Sequence, residues 1–258
     1  MNIDTVKPMP QTMHTLAKLR QLPPSGIWHQ PSLMLSQEKL RTPVNLPTSR
    51  PRKTPSGDNT PGKCSPWSAC KVKPELPFRE YAYTRELVKR LIPILESEGY
   101  EVYNIVPEEY DVTLAERCKR INSIVKQAAL EGKHTLRVSV HNNAAGNGKE
   151  WKEAYGWSVW TTRGQNNSDK LAQCLYDSAV EVLTPLGQKT RKDRSDGDDD
   201  YEAGFYIIKG SNCPAVLVEN MFQDCIKEVQ WMLTEEGKNA LVEIHRRGIN
   251  KFVELMKW

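Results

Sequence analysis

Beyond residue 78 the chain has little proline: 13 of its 17 prolines fall in residues 1–78, leaving only Pro93, Pro107, Pro185 and Pro214. No window approaches the roughly 18 consecutive apolar residues that a spanning helix needs, so no transmembrane segment is expected. Met1 to Gln30 holds no apolar run of the kind a cleavable secretory signal carries, which leaves the cytoplasm as the expected compartment at synthesis. The six cysteines, at 64, 70, 118, 174, 213 and 225, form no CxxC pair. Scattered in this way they read as reduced thiols, neither a disulfide scaffold nor a zinc knuckle. A net charge of +4 is too mild to name a nucleic-acid partner, and none is expected. No internal repeat recurs at a solenoid period.

The 258 residues divide at a seam. Residues 1–78 carry 11 Lys and Arg against 4 Asp and Glu, whereas the remainder carries 25 against 28. A proline-rich, basic stretch with few apolar runs buries too little surface to offset the entropy of ordering it. Residues 1–57 therefore read as a disordered segment whose charges (Arg41, Arg50, Arg52, Lys53) form a solvated tail. Residues 58–258 read as one folded domain.

In that domain the periodicities alternate. Tyr81, Leu87, Leu91, Ile94 and Leu95 share a helical face that ends at Gly99. Strands are expected at Glu101–Val106, Thr135–Val140, Gly156–Thr161, Phe205–Ile208 and Ala215–Val218. Further helices are expected at Leu114–Leu130, at Ser168–Leu183 with Ser168 as N-cap, and from Ile226 onward. Strands alternating with long helices predict an α/β fold, a mostly parallel central sheet flanked by helices. In such sheets ligands gather at strand carboxyl ends. His141 directly follows one apolar strand there and Glu219 another, and Glu80 opens the first long helix. Each alone has an ordinary structural reading: a packed imidazole, a solvated carboxylate, and a carboxylate complementing a helix dipole.

The strings around these residues are more specific. Val138-Ser-Val-His-Asn-Asn-Ala-Ala145, Pro214-Ala-Val-Leu-Val-Glu-Asn220 and Arg79-Glu-Tyr-Ala-Tyr-Thr-Arg85 resemble the zinc-dependent N-acetylmuramoyl-L-alanine amidases of the third amidase type. Asn59-Thr-Pro-Gly-Lys-Cys-Ser-Pro66 and Gly156-Trp-Ser-Val-Trp160 place the resemblance in that family's prophage-like, endolysin-like branch, and it extends over roughly residues 58–258. It implies a peptidoglycan hydrolase that cuts the amide between N-acetylmuramic acid and the L-alanine of the stem peptide. Its partner would be peptidoglycan, met at the cell wall after release or export. It also implies Zn²⁺ held by Glu80 and His141, with Glu219 as the catalytic acid/base. Two nitrogen ligands and a carboxylate leave zinc an open position whose water is acidified to a pKa of about 7.

The pattern departs at one point. The family's first zinc ligand is a His in a Gly-His-Gly turn after an apolar strand, and here Lys53-Thr-Pro-Ser-Gly57 puts Ser56 in its place. The first strand is expected to be missing or replaced. One explanation is a frame or start-site error upstream of about residue 58. The other is an impaired amidase remnant that only binds the cell wall. His14, His29, His134 and His245 offer no evident substitute. Elsewhere, the acidic loop Asp193–Glu202 lacks EF-hand spacing, since the twelfth position from Asp196 is Ile207, and it reads as solvated. Trp151, Trp157 and Trp160 are candidates for stacking on a sugar ring or for packing.

Overall fold

The computed structural model describes residues 64–66, 78–108 and 112–258. The disorder expected of residues 1–57, the missing first strand and Ser56 lie outside them. In chain order the elements are α1 (Glu80–Ser97), α2 (Leu114–Leu130), β1 (Arg137–Asn143), β2 (Ser158–Thr161), α3 (Asn167–Leu183), β3 (Tyr201–Glu202), α4 (Tyr206–Lys209), β4 (Ala215–Phe222), α5 (Ile226–Met232) and α6 (Glu235–Met256). Among the described residues no helix is long and apolar enough to cross a membrane.

The helices form where apolar residues recur at three- and four-residue spacing and a polar cap stands ahead of them. Leu87, Val88, Leu91 and Leu95 of α1 are buried, and the helix ends before Gly99, whose φ of 92° suits a residue without Cβ. Thr113 caps α2 by accepting the N–H of Glu116 at 3.2 Å. The cap of α3 is Asn166, two residues ahead of the expected Ser168. Its side chain accepts the Ser168 N–H at 2.8 Å, and the Asp169 carboxylate accepts the Asn166 N–H in return. That reciprocal pair satisfies two orphan donors, which Ser168 alone could not do.

The sheet runs β1-β4-β2-β3, with β1/β4 and β2/β3 parallel and β2/β4 antiparallel. Alternation along the strands sorts its faces. Val138, Val140, Val159, Val216 and Val218 face a core shared with α1, α3 and α6. Ala215 and Leu217 pack on the opposite side against Cys118 of α2 and Ile207 and Ile208 of α4. α6 lies so close to α3 that a Cβ at Gly248 would stand 2.5 Å from Leu175 Cδ2 and 2.8 Å from its Cα.

Three expectations are corrected. Glu101–Val106 is not a strand, although Val102, Tyr103, Ile105 and Val106 are buried. Apolar content drives burial, but a strand also needs a neighbour for its backbone groups, and no strand runs beside this segment among the described residues. Phe205–Ile208 is a helical turn, not a strand, because a four-residue apolar run has no period of its own to choose between the two. The acidic loop is not fully solvated: Asp199 and Asp200 are buried, and Tyr201–Glu202 pairs with β2. Of the two readings given for Trp157, packing holds: it is a core residue, fully buried, with its indole N–H on Asn220 Oδ1 at 3.1 Å.

Candidate active site

The first turn of α1 places Glu80 against the carboxyl end of β1. Its side chain is almost wholly buried, and two donors receive it. Oε1 lies 3.0 Å from His141 Nδ1 and accepts the Asn142 N–H at 3.3 Å. The helix N-terminus adds a favourable dipole for a buried carboxylate. On the other side of the ring, His141 Nε2 stands 3.1 Å from Ser139 Oγ. The imidazole is thus held at both nitrogens, with its side chain 18% exposed.

Glu219 completes the group. On β4 it is in register with His141 of β1 on one side and with Ser158 of β2 on the other. Adjacent strands lie about 4.8 Å apart, and facing residues point to the same side of the sheet. The carboxylate is therefore carried on the face that bears His141, half-buried, with Oε2 shut off from solvent. All three described residues singled out from the sequence come together.

The pair fits a zinc ion in its donor chemistry. Imidazole nitrogen and carboxylate oxygen are ordinary zinc ligands with bonds of about 2.0–2.2 Å, so two of them on one ion stand roughly 3.3 Å apart. The 3.0 Å between Nδ1 and Oε1 is close to that edge. Among the described residues no third His, Cys, Asp or Glu, Glu219 included, brings a ligand atom within 4.8 Å of both members of the pair. Position 56, where the resemblance expects the third ligand, lies outside those residues. Near it in sequence, Cys64 bridges Arg79 and the Ser65 N–H donates to Phe78 O at 3.1 Å, holding residues 64–66 against the entry of α1.

A supporting layer went unseen in the sequence. Asn220, fully buried, donates to His141 O at 3.2 Å, and its own carbonyl accepts from Asn142 Nδ2. Asp224 accepts the N–H groups of Ala145 at 3.2 Å and Gly146 at 2.8 Å, pinning the loop after His141. Glu228, from α5, accepts the N–H groups of Phe222 and Gly156, each at 2.7 Å. It thereby staples the end of β4, where Met221 takes a left-handed φ of 66°, to the entry of β2. Burial pushes the Glu228 carboxyl up to about 7, against the pull of those two donors. Glu228→Gln replaces one acceptor by a donor facing an N–H, so a loss of about 2 kcal/mol of unfolding free energy is expected in urea titration. The only sequence signal for these residues was polarity beside apolar strands, which does not distinguish a buried carboxylate from a solvated one.

The imidazole of the carboxylate–imidazole pair and the glutamate in register beside it lie in the carboxyl halves of neighbouring parallel strands, where α/β sheets gather ligands. Residues 57–251 match the family model described as N-acetylmuramoyl-L-alanine amidase, and the chain belongs to that family. It is 28% identical over 182 residues to an endolysin of Bacillus phage SPP1, a match covering 70% of this chain and 60% of that protein. The chain thus spans about 60% of the length of this curated relative. The N-acetylmuramoyl-L-alanine amidase of Clostridium difficile 630 shares the fold at a TM-score of 0.56, with 22% identity over 69% of this chain and 86% of that one. The catalytic domain of the CD27L endolysin targeting Clostridia difficile aligns at 0.52, with 21% identity over 82% of this chain and 93% of that one.

Proposed function

We propose that the chain is a zinc-dependent peptidoglycan amidase of endolysin type, prophage-derived and acting at the cell wall, that hydrolyses the amide joining N-acetylmuramic acid to the L-alanine of the stem peptide. The observation that carries this reading is the Glu80–His141 pair at 3.0 Å with Glu219 in register beside it. Family membership and similarity to a phage endolysin support it.

Glu80 and His141 would hold zinc, which when bound supplies Lewis acidity toward water and toward a carbonyl oxygen. The remaining work falls to the protein. Glu219 takes a proton from the water as its oxygen attacks the lactyl carbonyl carbon. As the C–N bond breaks, Glu219 delivers that proton to the departing alanine nitrogen, which leaves as a free amine. Asn220 and Glu228 hold the strand carrying Glu219 in place.

The test is digestion of purified cell walls by the full chain, with zinc measured on the same sample. Alanine amino termini should appear, vanish on treatment with a chelator and return with added zinc. Walls that bind the protein without releasing amines, with no zinc retained, would overturn the enzyme reading in favour of the impaired remnant that Ser56 suggests.

A further inference from the structure

Asp169, Asp198 and Asp200 bring one carboxylate oxygen each to within 4.8 Å of one another, although 29 residues of sequence separate the first two. Asp169 belongs to the first turn of α3, and the other two to the loop entering β3. Asp200 is 2% exposed and Asp169 8%. Thr161 Oγ1, at the end of β2, donates to Asp200 Oδ2 at 2.5 Å, and Gln165 Nε2 donates to Asp198 Oδ2 at 3.2 Å. The second oxygens are different. Asp200 Oδ1 and Asp198 Oδ1 are both cut off from solvent with no hydrogen-bond donor.

The intervening residue makes the contrast. Asp199 is paired with Arg194 at 2.6 Å and Lys192 at 3.7 Å. Among the described residues no Lys, Arg or His pairs with Asp169, Asp198 or Asp200. The loop therefore spends its basic side chains on Asp199; Asp169 has the Asn166 N–H, and none of the three converging carboxylates has a basic partner among the described residues. Charged oxygens taken out of water without a partner cost several kcal/mol each. Something positive must stand among them, a proton or a cation. Burial, with the neighbouring Asp198 and Asp169, pushes the Asp200 carboxyl up to about 8 against the pull of the Thr161 hydroxyl.

We propose that Asp169, Asp198 and Asp200 form a divalent cation site, separate from the Glu80–His141 pair, that takes calcium. All-oxygen donors select a hard cation over zinc. The three oxygens lie within 4.8 Å of one another, near enough for one ion to take all of them. Three carboxylates suit calcium, which gathers six to eight oxygens in flexible geometry, better than magnesium, which keeps several waters and is held by one or two carboxylates. The ion would fasten the acidic loop, through Asp198 and Asp200, to the N-terminus of α3 beside the end of β2. It would thereby anchor β3, the two-residue edge strand.

The test is thermal unfolding of the zinc-loaded full chain at pH 7.5, first stripped of calcium and then titrated with calcium or magnesium chloride. Calcium at a hundredfold over its dissociation constant should raise Tm by about 5–10 °C, magnesium by less. The double variant Asp198→Asn, Asp200→Asn should lose the calcium response, while Glu80→Ala should keep it. Because the double variant also removes the repulsion, its calcium-free Tm should equal or exceed that of the unmodified chain, which separates a lost site from a lost fold. A Tm indifferent to calcium up to 10 mM, or a calcium shift that survives in the double variant, overturns the proposal. The first of these outcomes would leave a shared proton as the compensating charge.

Discussion

Glu219→Gln is expected to slow release of alanine amino termini from purified walls by about 10²–10⁴-fold, the usual contribution of a positioned general acid/base. Glutamine matches glutamate in volume and keeps an acceptor oxygen, so the half-buried position on β4 stays filled and the register with His141 and Ser158 is preserved. What is lost is the ability to take a proton from water and return it to nitrogen. The melting temperature and bound zinc should therefore remain those of the unmodified chain. His141→Ala supplies the opposite signature, since removing the imidazole from Glu80 should lower zinc content together with activity. Undiminished amine release by Glu219→Gln would end the proposed mechanism. Loss of zinc in that variant would make Glu219 a ligand instead.

A second large effect is expected in acid. His245 sits on α6 in the main core, 1% exposed, with neither ring nitrogen bonded among the described residues. Burial lowers its pKa from an ordinary 6.5 to about 4, so the native state holds the ring neutral where the unfolded chain would already protonate it. The native state then binds fewer protons than the unfolded state between those two values. Stability is thus full above about 6.5, declines as pH falls and is lost through the folded pKa near 4. At pH 5 that difference amounts to about 2 kcal/mol, and the whole interval to about 3 kcal/mol. Urea unfolding of the chain and of His245→Leu at pH 7.5 and pH 5 checks it. The leucine variant should gain about 2 kcal/mol relative to the parent on going to the lower pH. A gap that does not change with pH would show that the ring finds a partner in the native state.

Both effects turn on residues whose types were legible but whose surroundings were not. His141 and Glu219 stood out because each follows an apolar run read as a strand, and strand ends in α/β sheets are where ligands gather. His245 read as one more residue of the closing helix, since helical periodicity predicts a face and not whether a polar group on that face finds a donor. The same limit explains the mistaken strands. At Glu101–Val106 the apolar residues are buried as expected, but a strand is a pairing between segments, and composition says nothing about the partner. Phe205–Ile208 was too short for its period to tell a helical turn from a strand.

By itself the sequence determined the long helices, the strands at the centre of the sheet and the family, and it singled out three candidate site residues, because 3.6- and 2-residue periodicities and local motifs are properties of contiguous residues. Only the tertiary structure decided which of those residues meet. Glu80 and His141 are 61 residues apart, and packing of α1 across β1 brings them to 3.0 Å. Asp169 joins the acidic loop through the same kind of long-range closure. Such contacts depend on how elements dock to bury their apolar faces, and that cannot be read from any one segment.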